Sequence, residues 1–200
     1  MEALDELLRK AEAAHGHLCA GQVLGVRLAM LGCRRLGMDD PRGKDRKRLA
    51  AFVEIDRCAT DAISVVTGCR LGKRTLKFRD WGKMAATFVD LSEGRGIRIA
   101  ARESSKDAAR ALHPEIENKN QQQMLAYREL SDEELFTEQW VRVPMLAPEV
   151  AVKELPGYKG SRSACAVCGE GINFDRFVER DGQMLCQSCA DPASRYWQPA

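Results

Sequence analysis

Two closely spaced cysteine pairs near the end of the chain constrain its fold more than any other feature. The stretch CAVCGEGINFDRFVERDGQMLCQSC has the spacing C-x2-C-x17-C-x2-C and holds Cys165, Cys168, Cys186 and Cys189. Four thiolates suit a tetrahedral zinc ion, and each C-x2-C pair bends the chain so that both sulfurs face one ion. Asp181-Gly182, between two apolar runs, predicts a two-residue hairpin turn. The pattern predicts a structural zinc site in a zinc ribbon or treble clef.

Disulfides and a rubredoxin-like iron site are the alternatives for these cysteines. Disulfides are disfavoured because the first residues, MEALDELLRKAEAAHGHLC, are amphipathic and charged and do not resemble a secretory signal, so the cytoplasm is the expected location. Iron stays open because thiolates bind it too. Four sulfur ligands leave no position for a substrate. We therefore expect a zinc ion that stabilises a module of about 40 residues, which could hardly fold unaided.

Composition and charge narrow the classes of function. The 200 residues allow one domain of ordinary size and a small module. The 31 basic and 29 acidic residues balance, which gives no general reason to expect nucleic acid or an anionic membrane as partner. Apolar runs are far shorter than the 18 or so residues of a spanning helix. In the tail, acids offset the arginines, so we expect the zinc module to contact protein and nucleic acid to be an unlikely partner.

Apolar periodicity predicts an α+β fold with helices packed on a mainly antiparallel sheet, plus the small C-terminal four-cysteine zinc-finger module. The predicted elements are helices over 2–14 and 21–36, a strand over 49–56, a helix over 60–68, antiparallel strands between 74 and 102, helical stretches broken at His113-Pro114, a capping box at Ser131 and Glu134, and a last strand over 140–146. The predicted domains are a core over 1–146, a linker over 147–163 and the zinc finger over 164–200.

The stretch HGHLC places His15 and His17, two of the three histidines, within four residues of Cys19. In an extended segment all three side chains face one way, and in a helix His15 and Cys19 still share a face. If the second helix starts near Ala20, Cys19 lies at its N-terminus, where the helix dipole favours a thiolate. A metal-ligand set, a nucleophile with its base, and helix-end histidines beside a structural cysteine remain open.

Cys58 is the expected partner of this stretch because it follows a predicted buried strand and precedes a predicted helix. Glu54 and Asp56 alternate with apolar residues, so we expect both acids on one side of that strand. His15 or His17 together with Cys19 and Cys58 would form a three-ligand site with one open position. The alternative for Cys58 and Cys69 is that they are small buried hydrophobic residues, and Cys33 is expected to be structural.

Two stretches rich in basic residues are candidates for anion binding. PRGKDRKR, residues 41–48, has five basic residues and one acid, and is expected to be a solvated loop, with an anionic ligand or partner as the alternative. GCRLGKR resembles a phosphate loop but has three residues between its glycines instead of four. Arg74 also stands where Ser or Thr would hold magnesium, so the phosphate loop is rejected.

The order of these motifs resembles a known family. HGHLCAGQVLGVRLA, then EIDRCATDAISVVTGCRLGKRTLKFRDWGKMAATF, then the paired cysteines resemble the FmdE family, which is named after formylmethanofuran dehydrogenase. The resemblance covers about residues 10–100 by motif and extends more loosely to 146. The tail is similar to the zinc finger of many members, a treble clef or zinc ribbon of the DksA/TraR type. Ala20 departs from the family, which usually has proline there, and this loosens the local turn.

The resemblance implies an α+β core, a homodimer, and a pocket that serves as the metal or active site. The candidate pocket residues are His15, His17, Cys19 and Cys58, with Asp61, Cys69 and Lys83 as further candidates. Cys19, His17 and Cys58 are the candidate catalytic residues. Family members are associated with molybdenum or tungsten enzymes that reduce carbon dioxide to a formyl group on methanofuran. Nothing in this chain resembles the pterin-binding catalytic subunit of those enzymes.

Three functions are therefore predicted. The first is a metal-binding accessory protein of the formylmethanofuran dehydrogenase type, with a second metal of unknown identity in the pocket. The second is a stand-alone enzyme with Cys19 as nucleophile and His15 or His17 as base. The third is a zinc-finger adaptor or regulator that senses a metal or a small ligand. All three share the structural zinc and need no membrane.

Overall fold

The computed structural model describes residues 1–146 and 152–198. Its first part contains α1 (Leu4–His15), α2 (Ala20–Arg35), β1 (Leu49–Val53), α3 (Cys58–Thr67), β2 (Leu76–Phe78), β3 (Ala85–Asp90), β4 (Arg95–Ala101), α4 (Ser105–Leu112), α5 (Lys119–Glu129), α6 (Asp132–Leu135) and β5 (Phe136–Arg142). Its second part contains β6 (Arg162–Ala164), β7 (Gly171–Asn173), β8 (Val178–Arg180), β9 (Gln183–Leu185) and α7 (Gln187–Ala190).

A five-stranded sheet with the order β2-β1-β3-β4-β5 forms the centre of the molecule. β1 pairs with β2 in parallel, and the other three pairs are antiparallel. The predicted α+β class and the mainly antiparallel sheet are confirmed. No helix in the described ranges is both long and apolar enough to cross a membrane.

The helices cover one face of the sheet. Leu49, Ala51 and Val53 alternate along β1 and belong to the main core, together with the apolar faces of α1, α2 and α3. Ala50 and Phe52 point the other way and pack in a smaller cluster that includes Leu146. The period of two therefore assigns every β1 side chain to one of two buried faces.

Glycines bring α2 unusually close to its neighbours. A Cβ built on Gly25 would lie 2.6 Å from the carbonyl oxygen of Ala59, so the backbones of α2 and α3 are in contact there. A Cβ on Gly32 would overlap the ring of Phe88 in β3. A side chain at Gly25 would push α2 away from α3, so this residue sets the distance between the two helices.

Several predicted boundaries are wrong for local reasons. Helix α3 begins at Cys58 because Arg57 is already the extended N-cap residue, so Cys58 does not precede the helix. β1 ends at Val53, which leaves Asp56 outside the strand and exposed. β5 covers Phe136–Arg142, and a 3-10 turn begins at Pro144, which has no N–H for a strand ladder. β2 runs parallel to β1 because α3 carries the chain back along the sheet.

Other sequence signals are confirmed. The helical region is broken at His113-Pro114, between α4 and α5. The Ser131 hydroxyl accepts the backbone N–H of Glu134, whose carboxylate accepts the N–H of Ser131, so the capping box is present. Asp181 and Gly182 both have positive φ, 51° and 74°, and join β8 to β9 as the primed turn that the Asp-Gly pair predicts.

The tail has a core of its own. Cys165, Ile172, Leu185 and Ala190 form a separate buried cluster around two short hairpins. The stretch between core and tail contacts the core through Glu154, whose carboxylate accepts from Lys77 at 3.0 Å. Residues 147–151 of the predicted linker and 199–200 of the predicted zinc finger lie outside the described residues, and the division at 146 and 163 stays a prediction.

Candidate functional site

The four tail cysteines converge on one point. All four sulfurs lie within 4.8 Å of one another, and those of Cys168 and Cys186 are 3.9 Å apart. A tetrahedral ion with Zn–S bonds of about 2.3 Å requires sulfurs about 3.8 Å apart, so the four residues fit a metal ion. In residues 1–146 and 152–198, no other group of three or more His, Cys, Asp or Glu side chains is close enough to hold a metal ion.

Backbone amides stabilise negative charge on Cys165. The N–H of Cys186 donates to the sulfur of Cys165 at 3.3 Å. Amides of Cys168 and Cys186 lower the pKa of the Cys165 thiol to about 6, whereas the hydrogen bond with Cys186 raises the pKa of the Cys189 thiol. Gly169, with a φ of 74°, turns the chain after the first cysteine pair. With four sulfurs as ligands, the arrangement can hold an ion but leaves no position for a substrate.

The first residues of α2 and α3 bring two other thiols together. Cys19 is the N-cap residue of α2 and Cys58 is the first residue of α3. A Cβ built on Gly21 would lie 3.4 Å from the Cβ of Cys58 and 3.8 Å from the sulfur of Cys19, so the two cysteines flank this glycine. Both thiols are half-buried. Burial, followed by the hydrogen bond with Cys19, raises the pKa of the Cys58 thiol.

The end of α1 brings the histidines to the same place. Gly16 adopts a φ of 99° and ends the helix, and its N–H donates to Glu12 O. Nδ1 of His15 is 2.8 Å from a carboxylate oxygen of Asp61, in the first turn of α3. The rings of His15 and His17 are 4.8 Å apart between centroids. A carboxylate on Nδ1 orients an imidazole and presents Nε2, the arrangement common among histidine metal ligands.

This N-terminal cluster, defined as His15, His17, Cys19, Cys58 and Asp61, is less tightly closed than the cysteine group. Its ligand atoms do not form a group close enough to hold a metal ion without movement of the side chains. Its members come from α1, the α1–α2 turn and α3. It consists of the cysteine pair on either side of Gly21 and the His15–Asp61 contact.

The structure also places the further candidates Cys69 and Lys83, and Cys33, which is expected to be structural. Cys69 follows the opposite end of α3, about 15 Å along the helix from Cys58, and burial raises the pKa of its thiol. Cys33 is fully buried in α2, and burial raises its pKa to about 12. The exposed Lys83 places its ammonium 5.8 Å from the centre of the Trp81 ring.

Two residues near the cluster were not identified from the sequence. Gln22 is fully buried, and its amide donates to the carbonyl of Cys58 at 3.2 Å. Asn120, in α5, accepts the N–H of Ala20 at 3.0 Å and so caps the first turn of α2. Gln22 could have been identified from the sequence, because it is a polar residue within an otherwise apolar helix. Asn120 could not, because it is 100 residues from Ala20 and no local pattern links the two.

Comparison with known proteins identifies the family. The sequence model described as "FmdE, Molybdenum formylmethanofuran dehydrogenase operon" matches residues 14–137, which include the whole N-terminal cluster. The chain belongs to the FmdE family. The FmdE match ends before the tail, so the cysteine group lies outside it.

This FmdE protein is similar to a protein of known structure and, over part of its length, to a second protein. The crystal structure of a tungsten formylmethanofuran dehydrogenase FmdE-like protein from Syntrophus aciditrophicus has the same fold, with a TM-score of 0.63 and 20% identity over 97% of this chain and 95% of that one. A protein of Archaeoglobus fulgidus named "Probable S-adenosyl-L-methionine-binding protein" is 37% identical over 97 residues. That match covers 48% of this chain and 26% of the relative, so the matched region is about a quarter of that protein.

Proposed function

We propose that this FmdE protein binds a metal ion at the N-terminal cluster, with His15 or His17, Cys19 and Cys58 as ligands, and that the tail cysteines hold a structural zinc ion. The observation that carries the proposal is the 2.8 Å contact between His15 Nδ1 and Asp61. A carboxylate that orients an imidazole from another helix fixes the ring in the plane that metal coordination needs.

The donor types support a soft or borderline ion. Imidazole and thiolate ligands suit zinc, copper or iron, and three protein ligands leave a position for a fourth partner. A bound ion would supply a Lewis acid beside that position. The residues of the chain then have separate roles. Asp61 orients His15, Cys19 and Cys58 supply the sulfur ligands, and Gly21, which has no side chain, leaves room between the two cysteines.

We further propose that the protein acts alongside a molybdenum or tungsten formylmethanofuran dehydrogenase. The support is the description of the family and the name given to the Syntrophus aciditrophicus protein with the same fold. The homodimer, the cytoplasmic location and a protein partner of the tail stay predictions from the sequence.

Metal analysis of the full-length chain tests the two-site proposal. We expect two metal ions per chain in the wild type, and one in each of the variants Cys19→Ser/Cys58→Ser and Cys165→Ser/Cys189→Ser, measured by inductively coupled plasma mass spectrometry. The control Cys33→Ala/Cys69→Ala removes two cysteines outside both groups and should retain two ions. Circular dichroism checks that each variant is folded.

Asp61→Asn tests the orienting role of the carboxylate. The change keeps the shape of the side chain but removes the charge, and should weaken binding of the second ion by about 10- to 100-fold. Asp56→Asn, an exposed acid in the preceding loop, is the matched control and should leave affinity unchanged. A wild type that holds one ion, lost only with the tail cysteines, would refute the proposal. Rapid alkylation of Cys19 in that protein would then favour the stand-alone thiol enzyme.

A further inference from the structure

A cavity lies between the loop over 41–48 and the loop over 68–75. Its volume is about 420 Å³, within the range of small-molecule sites. Five of the nine residues that line it are basic and none is acidic. The five basic residues are Arg42, Arg46, Lys47, Arg70 and Lys73.

Neither Asp45 of the first loop nor Asp40, which precedes that loop, lines this cavity. Asp45 is buried, and its carboxylate accepts the N–H of Asp40 at 3.1 Å and a guanidinium N–H of Arg48 at 3.3 Å. The carboxylate of Asp40 accepts the N–H groups of Gly43 and Lys44, each at 3.0 Å. The loop thus uses its carboxylates to hold its own backbone, and they do not neutralise the basic side chains of the cavity.

Four of the five cations lack an acidic partner. Arg42 pairs with Glu2, whereas Arg46, Lys47, Arg70 and Lys73 form no ion pair within the described parts of the chain. Like charges that share a concave site repel one another, and an anion bound among them would relieve that repulsion. The chain has a net charge of only +2, so this concentration of positive charge is local.

We propose that the cavity binds a small molecule that carries a phosphate or pyrophosphate group. Guanidinium groups match phosphate oxygens in pairs, and lysines add point charges around them. The cations converge on one concave site rather than along an extended stripe, which favours a compact ligand over a nucleic-acid backbone. The site goes beyond the proposed metal function, because it lies at the opposite end of α3 from Cys58.

The C-terminal end of α3 lies beside the cavity, so any attraction for an anion depends on the side chains there. The helix ends at Thr67 and Gly68, so its carbonyl end, which carries partial negative charge, is next to the cavity. The attraction for an anion must therefore come from the arginines and lysines and not from a helix N-terminus. Removal of two of these charges should have a large effect.

Isothermal titration of the full-length chain with inorganic pyrophosphate tests the proposal. We expect saturable binding to the wild type that weakens as sodium chloride is raised, and at least a tenfold loss in Lys47→Gln/Lys73→Gln. Both lysines are exposed, so the double variant should remain folded. Lys44→Gln/Lys119→Gln removes the same charge at exposed positions outside the cavity and should bind within twofold of the wild type.

Three outcomes would overturn the proposal. The first is an absence of saturable binding to the wild type. The second is that Lys47→Gln/Lys73→Gln binds pyrophosphate as tightly as the wild type does. Because that variant keeps both groups of cysteines, such a result would indicate that pyrophosphate binds a metal ion held there. The third is that a single-stranded DNA oligonucleotide binds more tightly than pyrophosphate and that this binding is lost in the same variant. The ligand would then be a nucleic-acid polymer.

Discussion

At the scale of single residues, partners that are distant in sequence determine what the chemically active side chains can do. His15 and Cys19 are conspicuous in the sequence because the chain has few histidines and because these two residues lie only four positions apart. The carboxylate that orients His15 is 46 residues away, and no local pattern pairs Asp61 with that ring. Local spacing therefore singles out His15, His17 and Cys19 as candidates, but the pairing of His15 with Asp61 depends on how α1 packs against α3.

The four cysteines of the core should differ in reactivity in the metal-free, full-length protein. Cys19 and Cys58 are half-buried, whereas Cys33 and Cys69 are buried. We expect iodoacetamide at pH 8 to label Cys19 first, and Cys33 and Cys69 on the order of 100-fold more slowly because they react only after the structure opens. The raised pKa of Cys58 keeps its thiol protonated at neutral pH, so its labelling should increase as the solution becomes more alkaline.

Peptide mass spectrometry after timed labelling measures these rates. Labelling in urea is the control, since all core cysteines should then react alike. Equal rates for Cys33 and Cys19 in the folded protein would contradict the buried positions of α2. A Cys58 that reacts as fast at pH 7 as at pH 9 would contradict the raised pKa.

At the scale of helices and strands, periodicity predicted most elements and contact between elements decided the rest. The helices over 2–14 and 21–36 were predicted to within about two residues, because their apolar stripes face the core. The start of α3 and the parallel direction of β2 were wrong. α3 begins earlier than predicted because Arg57 is already extended, and β2 is parallel to β1 because α3 carries the chain back along the sheet. The close packing of α2 against α3 at Gly25 likewise has no pattern within either segment that reveals it.

Gly25→Ala should destabilise the protein and disturb the N-terminal cluster together. The added Cβ would lie 2.6 Å from a backbone oxygen of Ala59, which cannot rotate away. We expect a net loss of about 1–3 kcal/mol in the free energy of unfolding, after a gain of up to about 1 kcal/mol in helix propensity. Because α2 carries Cys19 and α3 carries Cys58, the same shift should weaken binding of the second ion.

Gly21→Ala is the matched control on the same helix for stability alone, because Gly21 lies between two of the proposed metal ligands. The nearest atom to its new Cβ would be the Cβ of Cys58 at 3.4 Å, an ordinary contact. Urea unfolding followed by circular dichroism compares the two variants. Equal midpoints would show that Gly25 does not set the approach of α2 to α3.

At the scale of the whole molecule, spacing predicted the tail site but could not predict the basic cavity. Each C-x2-C pair needs only a local turn, so four sulfurs within 4.8 Å follow from the sequence once a hairpin joins the pairs. The cavity is built from two loops about 25 residues apart, on either side of α3. The positive charge is concentrated there only in the folded chain, because β1 and α3 bring Arg46 and Lys47 beside Arg70 and Lys73.

Removal of metal should unfold the tail and leave the core intact. Within the described residues of the tail, four apolar residues are buried together, against the large separate core of the first part, so we expect the tail to need the ion in order to fold. Its contacts with the first part are polar and partly exposed, such as the pair of Lys77 and Glu154 and the Arg74 guanidinium 5.6 Å from the centre of the Phe174 ring. Exposed contacts of this kind contribute about 1 kcal/mol or less each. Loss of the tail should therefore change the stability of the core little.

Limited trypsin digestion with and without a chelator measures this difference. After chelation we expect rapid cleavage at Arg176 and Arg180, while the helical circular dichroism of α1 to α5 and the urea midpoint of the core remain nearly unchanged. Cys165→Ser/Cys189→Ser should be cleaved in the same way without chelator, which separates the tail ion from any ion at the N-terminal cluster. Added zinc should restore protection to the wild type but not to this variant. A chelated protein that resists trypsin, or a core that unfolds with the tail in one transition, would show that the ion does not hold a separate folding unit.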